Sequence, residues 1–321
     1  TYLWPPGSVS SNARCPMFNE LSIEHRALNI PNASPLAPLV FGFRMLSLTL
    51  QPGKKLYFAS DFHLAAHHGE RGRERERAVL RWLDQAATDA QAIFLLGDLF
   101  DFWFEYRRVV PKGFVRFLGR LAALREAGID CYAFTGNHDL WLADYFPQEL
   151  GIPVCRQPTR LEVRPVNAPP EHPATSFLIG HGDGLGPGDW AYRRVLKPVF
   201  ANGFMRWAFR WLHPDLGVWL AHRWSSQSRA SQATPRAFGR ADDEWILQHC
   251  KAVESQQHHD YYVFGHRHLP LDLAVNPRSR YLNLGEWFEA RTYGLYDGKQ
   301  LTLKRFEGPL RSRPPHGIFI P

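Results

Sequence analysis

Residues 92–103 read Ala92-Ile93-Phe94-Leu95-Leu96-Gly97-Asp98-Leu99-Phe100-Asp101-Phe102-Trp103. The first five form an apolar run of the length expected for a strand buried on both faces. Gly97 lets the backbone turn sharply where the run ends, and Asp98 stands just past the turn. By itself an aspartate after a strand is usually a helix cap or a turn residue. The chain repeats the arrangement, however. Leu56-Tyr57-Phe58-Ala59 leads into Ser60-Asp61-Phe62-His63, and Cys131-Tyr132-Ala133-Phe134 leads through Thr135 into Gly136-Asn137-His138-Asp139. Phe177-Leu178-Ile179 precedes Gly180-His181-Gly182-Asp183, and Tyr261-Tyr262-Val263-Phe264 precedes Gly265-His266-Arg267-His268. Five apolar runs therefore end in a small residue and then in Asp, Asn or His. Ligands of α/β sheets bind beyond the carboxyl ends of the strands, so the five tips are expected to meet in one crevice. Oxygen and imidazole donors without cysteine suit manganese, iron or zinc.

Two spacings strengthen the metal reading. His63 follows Asp61 by two residues at a strand tip, which favours ligation over an ordinary core histidine. In His266-Arg267-His268 the first and third side chains of an extended segment share one side, so both imidazoles can face one centre. His67 and His68 lie in no such pattern and read as solvated loop residues. Asp101, Asp139 and Asp183 follow the expected ligands and are assigned structural roles, such as orienting histidines.

Taken in order, the blocks D-x-H, G-D, G-N-H-D, G-H and G-H-x-H resemble the signature of the calcineurin-like metallophosphoesterases, over residues 55–290. The resemblance implies an α/β fold of two mixed sheets flanked by helices, with a helical cap inserted at 189–250. It also implies two divalent metal ions, with manganese expected. Asp61, His63 and His268 would hold the first, Asn137, His181 and His266 the second, and Asp98 would bridge them. Such a pair acidifies a bridging water and clamps phosphoryl oxygens. In members with G-N-H-D the histidine, here His138, faces the scissile phosphate and serves the leaving group beside Asn137. The plainer reading makes His138 a hydrogen-bonding partner of Asp101 or Asp139.

Within the family, the chain looks most like the diphosphatases of UDP-2,3-diacylglucosamine. That likeness rests on chain length, on His181-Gly182-Asp183 followed by Asp189 and Tyr192, on the helical insertion and on Gly285-Glu286-Trp287. It implies release of UMP and 2,3-diacylglucosamine 1-phosphate. The better-known branch has G-N-R-D where this chain has His138, so a G-N-H-D branch is the closer comparison. Asp189, Arg193, Trp207 and Arg229 are the expected substrate contacts. Gly184 to Asp189 lacks the G-K-[ST] of a Walker loop and reads as a connector carrying Asp189 to the mouth of the site. The alternatives are a metallophosphoesterase for a different nucleotide or phosphodiester, and a non-catalytic docking protein on the same scaffold. The latter is disfavoured because every ligand position is filled.

Bulk properties agree. The 321 residues are 45% apolar and 14% aromatic, enough for one large domain or a domain with an insertion. Four cysteines form no C-x-x-C pair and fit a reducing compartment. No stretch is long and apolar enough to span a bilayer. The formal charge of +7 favours anionic partners. A nucleotide-sugar lipid and the anionic cytoplasmic face of an inner membrane are expected, with no nucleic acid and no obligate protein partner. Residues 189–250 interleave Trp and Phe with Arg and Lys, a composition suited to acyl chains and phosphate groups.

Along the chain, residues 1–44 are Pro-rich and aperiodic, which predicts a disordered extension ahead of a domain at 45–306, with a flexible tail at 307–321. Residues 70–90 read as a helix with Val79, Leu83 and Ala86 inward and alternating Arg and Glu, through Arg77, on a solvated face. Phe114, Phe117, Leu118 and Leu121 mark a second helix closed by Gly128. A strand, an exposed Pro-rich loop and a strand follow between 160 and 179, and Asp297-Gly298 turns a last hairpin.

Overall fold

The computed structural model describes residues 44–65, 69–169, 171, 173–185, 202–217, 219 and 244–307. The expectations for the Pro-rich extension up to residue 43, for His67 and His68, for most of the insertion and for the tail after Glu307 fall outside these residues.

Twelve strands form two mixed six-stranded sheets. One holds β1 (Arg44–Leu50), β6 (Thr159–Pro165), β7 (Thr175–Ile179), β8 (Tyr261–Phe264), β10 (Ser279–Leu284) and β9 (Pro270–Asn276), in that order. The other holds β12 (Leu301–Arg305), β11 (Thr292–Tyr296), β2 (Lys55–Ala59), β3 (Ala90–Leu96), β4 (Asp130–Phe134) and β5 (Val154–Cys155). Among the described residues the helices are α1 (Gly69–Ala86), α2 (Val115–Glu126), α3 (Tyr145–Glu149), α4 (Gly203–Arg210) and α5 (Trp245–Glu254).

Period-two alternation explains why the central runs are apolar throughout. Leu56 and Phe58 of β2, with Ala92, Phe94 and Leu96 of β3, face the space between the sheets, where they meet Phe177 and Ile179 of β7 and Val263 of β8. Tyr57, Ile93 and Leu95 point the other way, into a layer closed by Val79, Trp82 and Leu83 of α1 and Phe117 and Leu121 of α2. On the far side Leu178, Tyr262 and Phe264 pack under Ile246, Leu247 and Cys250 of α5. The two sheets are thus sandwiched between helices. Phe94 shows how tightly the middle is filled: its ring stacks 5.0 Å from Phe58 and 5.0 Å from Tyr132. Truncating such a buried ring costs about 3–5 kcal/mol.

Several elements differ from the sequence reading. Helix α1 stops at Ala86, not at residue 90, and Ala90 already belongs to β3. The intervening Asp89 is used elsewhere, bonding Lys55 Nζ at 2.7 Å and the Tyr57 hydroxyl at 2.7 Å. Arg75 is not on the solvated face of α1. Glu70 pairs with Arg73 and Arg77, and Glu74 with Arg81, on that face, while Arg75 is only 6% exposed. It stands one turn before Val79, on the inward stripe. Strand β1 begins at Arg44 and was not anticipated as a strand. It runs parallel to β6, and Leu46 and Leu48 pack on the core between the sheets. Strands β5 and β9 were also unforeseen. Gly128, at φ +81°, closes α2 as expected.

Candidate metal centre

The tips of β2, β3 and β4 come from one sheet and those of β7 and β8 from the other, so the crevice lies where the carboxyl ends of both sheets meet. Backbone bonds join neighbouring tips: Asp61 N donates to Gly97 O at 3.1 Å and His63 N to Asp98 O at 2.9 Å. Gly265 N donates to His181 O at 2.8 Å. The turns are tight enough to demand unusual backbone. Seven described residues other than glycine have positive φ, and five are Asp61, His63, Asp98, His266 and His268. A left-handed conformation at such residues costs about 1–3 kcal/mol and persists where surrounding structure enforces it. Gly136 is required for a different reason, since a Cβ there would overlap the Asp98 carboxylate.

Each carboxylate is held by one oxygen and presents the other. Asp61 Oδ2 accepts from the Ser60 hydroxyl at 2.5 Å and from His266 N at 3.1 Å. Its buried Oδ1 has no well-formed hydrogen bond although it lies 3.1 Å from His268 Nε2. Asp98 Oδ1 accepts from His138 N at 2.8 Å, while Oδ2 lies 3.6 Å from His63 Nε2 and 3.3 Å from His181 Nε2. One oxygen thus stands between two groups of donors. The first group is Asp61, His63, Asp98 and His268, whose donor atoms lie within 4.8 Å of one another. Around the second, Asn137 Oδ1 is 3.3 Å from His181 Nε2 and 3.0 Å from His266 Nδ1. All seven side chains singled out as ligands are therefore brought together.

The imidazoles are oriented from behind. His181 Nδ1 lies 2.9 Å from Leu96 O, which can only accept, so Nδ1 carries a hydrogen and Nε2 is the atom turned toward Asp98. His63 Nδ1 lies 3.3 Å from Asp101 Oδ1, which turns its Nε2 toward His268 Nε2, 3.0 Å away. Two imidazole nitrogens and two carboxylate oxygens aimed at one point repel unless a positive charge sits among them. The electrostatics agree. Burial opposes a charged His63 ring, yet the Asp101, Asp61 and Asp98 carboxylates hold its pKa up at about 10. Burial likewise opposes ionisation of Asp61, but His268 and His63 hold its carboxyl well below the usual range. These donors fit a pair of divalent cations, which would take over the positive charge that the carboxylates otherwise draw onto the imidazoles.

Asp139 has a structural role that does not involve a histidine. Its carboxylate accepts from Leu99 N at 2.7 Å, Gly136 N at 2.7 Å and Asp98 N at 3.3 Å, tying the β3 tip to the β4 tip. Burial and the neighbouring Asp98 push its pKa up to about 7. Asp183 is half-buried beyond β7. His138 sits with its ring edge-on to His63, centroids 4.8 Å apart, and its Nδ1 is 3.1 Å from Asp101 O. Burial lowers its pKa.

Of the expected substrate contacts, Asp189, Arg193 and Arg229 lie outside the described residues. Trp207 is on α4, 55% exposed, stacked on Phe204 and meeting Trp211 edge-on. Sequence reasoning passed over Ser60 and Glu105. Buried Glu105 accepts from Trp103 Nε1 at 3.0 Å and from the backbone of Ala143, Asp144 and Tyr145, binding the loops after β3 and β4 together. Its one signal in the sequence is a carboxylate within the aromatic run 102–106.

Comparison with known proteins gives relatives along most of the chain. A Porphyromonas gingivalis protein named UDP-2,3-diacylglucosamine hydrolase is 35% identical over 271 residues, covering 79% of this chain and 98% of that protein. One of the same name from Proteus mirabilis is 30% identical over 239 residues, covering 72% and 90%. Among solved structures, a dimetal phosphatase from Danio rerio aligns with a TM-score of 0.38 at 12% identity, over 79% of this chain and 96% of that one. The family model for calcineurin-like phosphoesterases matches residues 54–270. That span opens just before β2 and closes just past His268, so it takes in all five tips, and the chain belongs to this family of metal-dependent hydrolases.

Proposed function

We propose that the chain hydrolyses the diphosphate of UDP-2,3-diacylglucosamine to UMP and 2,3-diacylglucosamine 1-phosphate. The observation that carries this reading is the 35% identity to a UDP-2,3-diacylglucosamine hydrolase aligned over 98% of that protein's length. In this reading Asp61, His63, Asp98 and His268 hold one divalent cation, and Asp98, Asn137, His181 and His266 hold another, manganese being the metal we infer. Such a pair supplies an acidified water and neutralises charge developing on the phosphoryl oxygens. Asp98, whose Oδ2 faces both donor groups, would be the residue common to the two positions. Asn137 contributes a neutral oxygen, so the second position gains a donor without further anionic charge.

His138 is assigned the leaving group. With Nδ1–H donated to Asp101 O, Nε2 is the atom left for the departing oxygen, and it serves that oxygen as donor only in the imidazolium form, which burial opposes and the Asp98 carboxylate favours. The insertion, with Asp189, Arg193, Trp207 and Arg229, is assigned to the lipid and its phosphates. The exposed rings of Phe204, Trp207 and Trp211, together with a net charge of +7, support peripheral contact with an anionic bilayer on the cytoplasmic side. No helix among the described residues is long and apolar enough to cross a membrane.

The test is incubation of the manganese-loaded protein with UDP-2,3-diacylglucosamine, following UMP. We expect UMP to form, and far more slowly from a deacylated UDP-sugar. Turnover of a soluble generic diester without turnover of the lipid would overturn the substrate and leave the family intact.

A further inference from the structure

The Gly285-Glu286-Trp287 stretch has so far no role in the chemistry, yet its turn is built with unusual care. The Glu286 carboxylate accepts from Phe288 N, from Glu289 N at 3.0 Å and from Ala290 N at 2.8 Å. Arg291, at φ +49°, closes the turn by donating to Glu286 O at 2.8 Å. Trp287 is fully buried, its ring edge-on to Phe62 and Trp82 at 5.1 and 5.3 Å, and its backbone N–H donates to Asp61 O at 3.3 Å. What this turn presents is Phe288. The ring lies nearly parallel to His63, centroids 5.5 Å apart at 26°, and tilted against His268 at 6.1 Å. The buried guanidinium of Arg75 sits 4.3 Å above the same ring.

We propose that Phe288, presented by this turn and backed by Arg75, is a positioning residue that braces the imidazoles of His63 and His268 for the first metal ion. The inference rests on the ligand assignment made above. The physical need is plain. A ligating imidazole must be fixed in ring rotation as well as in place, usually by a bond to its second nitrogen. His181 has Leu96 O for this, while His63 Nδ1 stands 3.3 Å from Asp101 Oδ1 without a well-formed hydrogen bond. His268 is the more exposed ligand of the first group, with a side chain 26% accessible, and the wall beside it is Phe288. A flat ring against both imidazoles limits their rotation, and a cation over that ring's face holds it by attraction to the π-electrons. The arrangement also accounts for Arg75 on the inward stripe of α1, where an aliphatic side chain would otherwise belong.

The experiment titrates Mn²⁺ into the metal-free full-length chain, in a His266→Ala background that leaves one position to fill. The unmodified chain should take up two equivalents and the His266→Ala chain one. Any other stoichiometry overturns the ligand assignment and the brace with it, before Phe288 is touched. In that background Phe288→Leu, which keeps apolar bulk at a 40% exposed site, should weaken Mn²⁺ binding by about 10–100-fold, as loss of ligand-orienting partners does. Phe288→Tyr should restore it, and Arg75→Met should weaken it by only about 2–5-fold. In the intact chain Phe288→Leu should convert the coupled two-manganese EPR signal into that of isolated Mn²⁺ at limiting metal, with the melting temperature unchanged. Binding by Phe288→Leu within twofold of its parent would overturn the proposal. Equal weakening by Phe288→Leu and Phe288→Tyr would do so too, because the aromatic face would then not be what matters.

Discussion

The strand tips and helix α4 invert the ordinary partition of side chains in opposite senses. At the tips, carboxylates and imidazoles are buried: Asp61 and His63 are fully enclosed and Asp98 and His181 nearly so. On α4, Phe204, Met205 and Trp207 face outward, and Trp211 follows them. A buried polar cluster needs a cation to balance it, whereas an exposed apolar row needs an apolar partner. The tips are held rigidly by bonds from backbone and carboxylates on every side. Among the described residues, helix α4 meets the domain through the ring of Phe209, which packs at 4.5 Å on Phe104 and 4.9 Å on Trp141, next to the loops that carry Asp101 and His138. Under the proposed function, the contrast separates chemistry, done where geometry is enforced, from recognition, done where apolar surface is left open.

The largest effect should come from the centre of the tips. Asp98→Ala removes the oxygen between the two donor groups and should abolish hydrolysis while lowering bound metal below one equivalent, measured by elemental analysis. Two retained equivalents in an inactive variant would break the link between rigid geometry and metal binding. His138→Ala comes next. It should reduce kcat by about 10²–10⁴-fold with both metals in place. An unchanged kcat would make this histidine part of the scaffold. The smallest effect belongs to α4. Trp207→Asp should leave stability within about 0.5 kcal/mol, and leave hydrolysis of a small phosphodiester intact, while kcat/KM for the diacylated substrate falls. Phe209→Ala, by contrast, should measurably lower the melting temperature. If the two variants behaved alike in stability, the division of α4 into an anchor and an open face would fail.

The five tips were legible in the sequence because each follows an apolar run within a few residues, and a run buried on both faces is recognisable without its neighbours. The choice of seven proposed ligands among the tip residues came from the family resemblance. The cap aromatics were legible only as an excess. Composition does not say which ring is inside, and only the fold separates Phe209 from Trp207.

What the sequence determined by itself was local: which of the central apolar segments are strands, where those end, and which donor types stand past each end. These follow from periodicity and from turn chemistry, which act over a few residues. What only the tertiary structure decided was long-range. It brings tips from two sheets to a single oxygen of Asp98, turns Asp139 into a tie between loops, and stacks Arg75 of α1 on Phe288, more than two hundred residues away. It also makes a strand of Arg44–Leu50, which pairs with β6 and packs Leu46 and Leu48 on the core between the sheets. Such contacts depend on which surfaces the core packing brings together, and no local pattern carries that information.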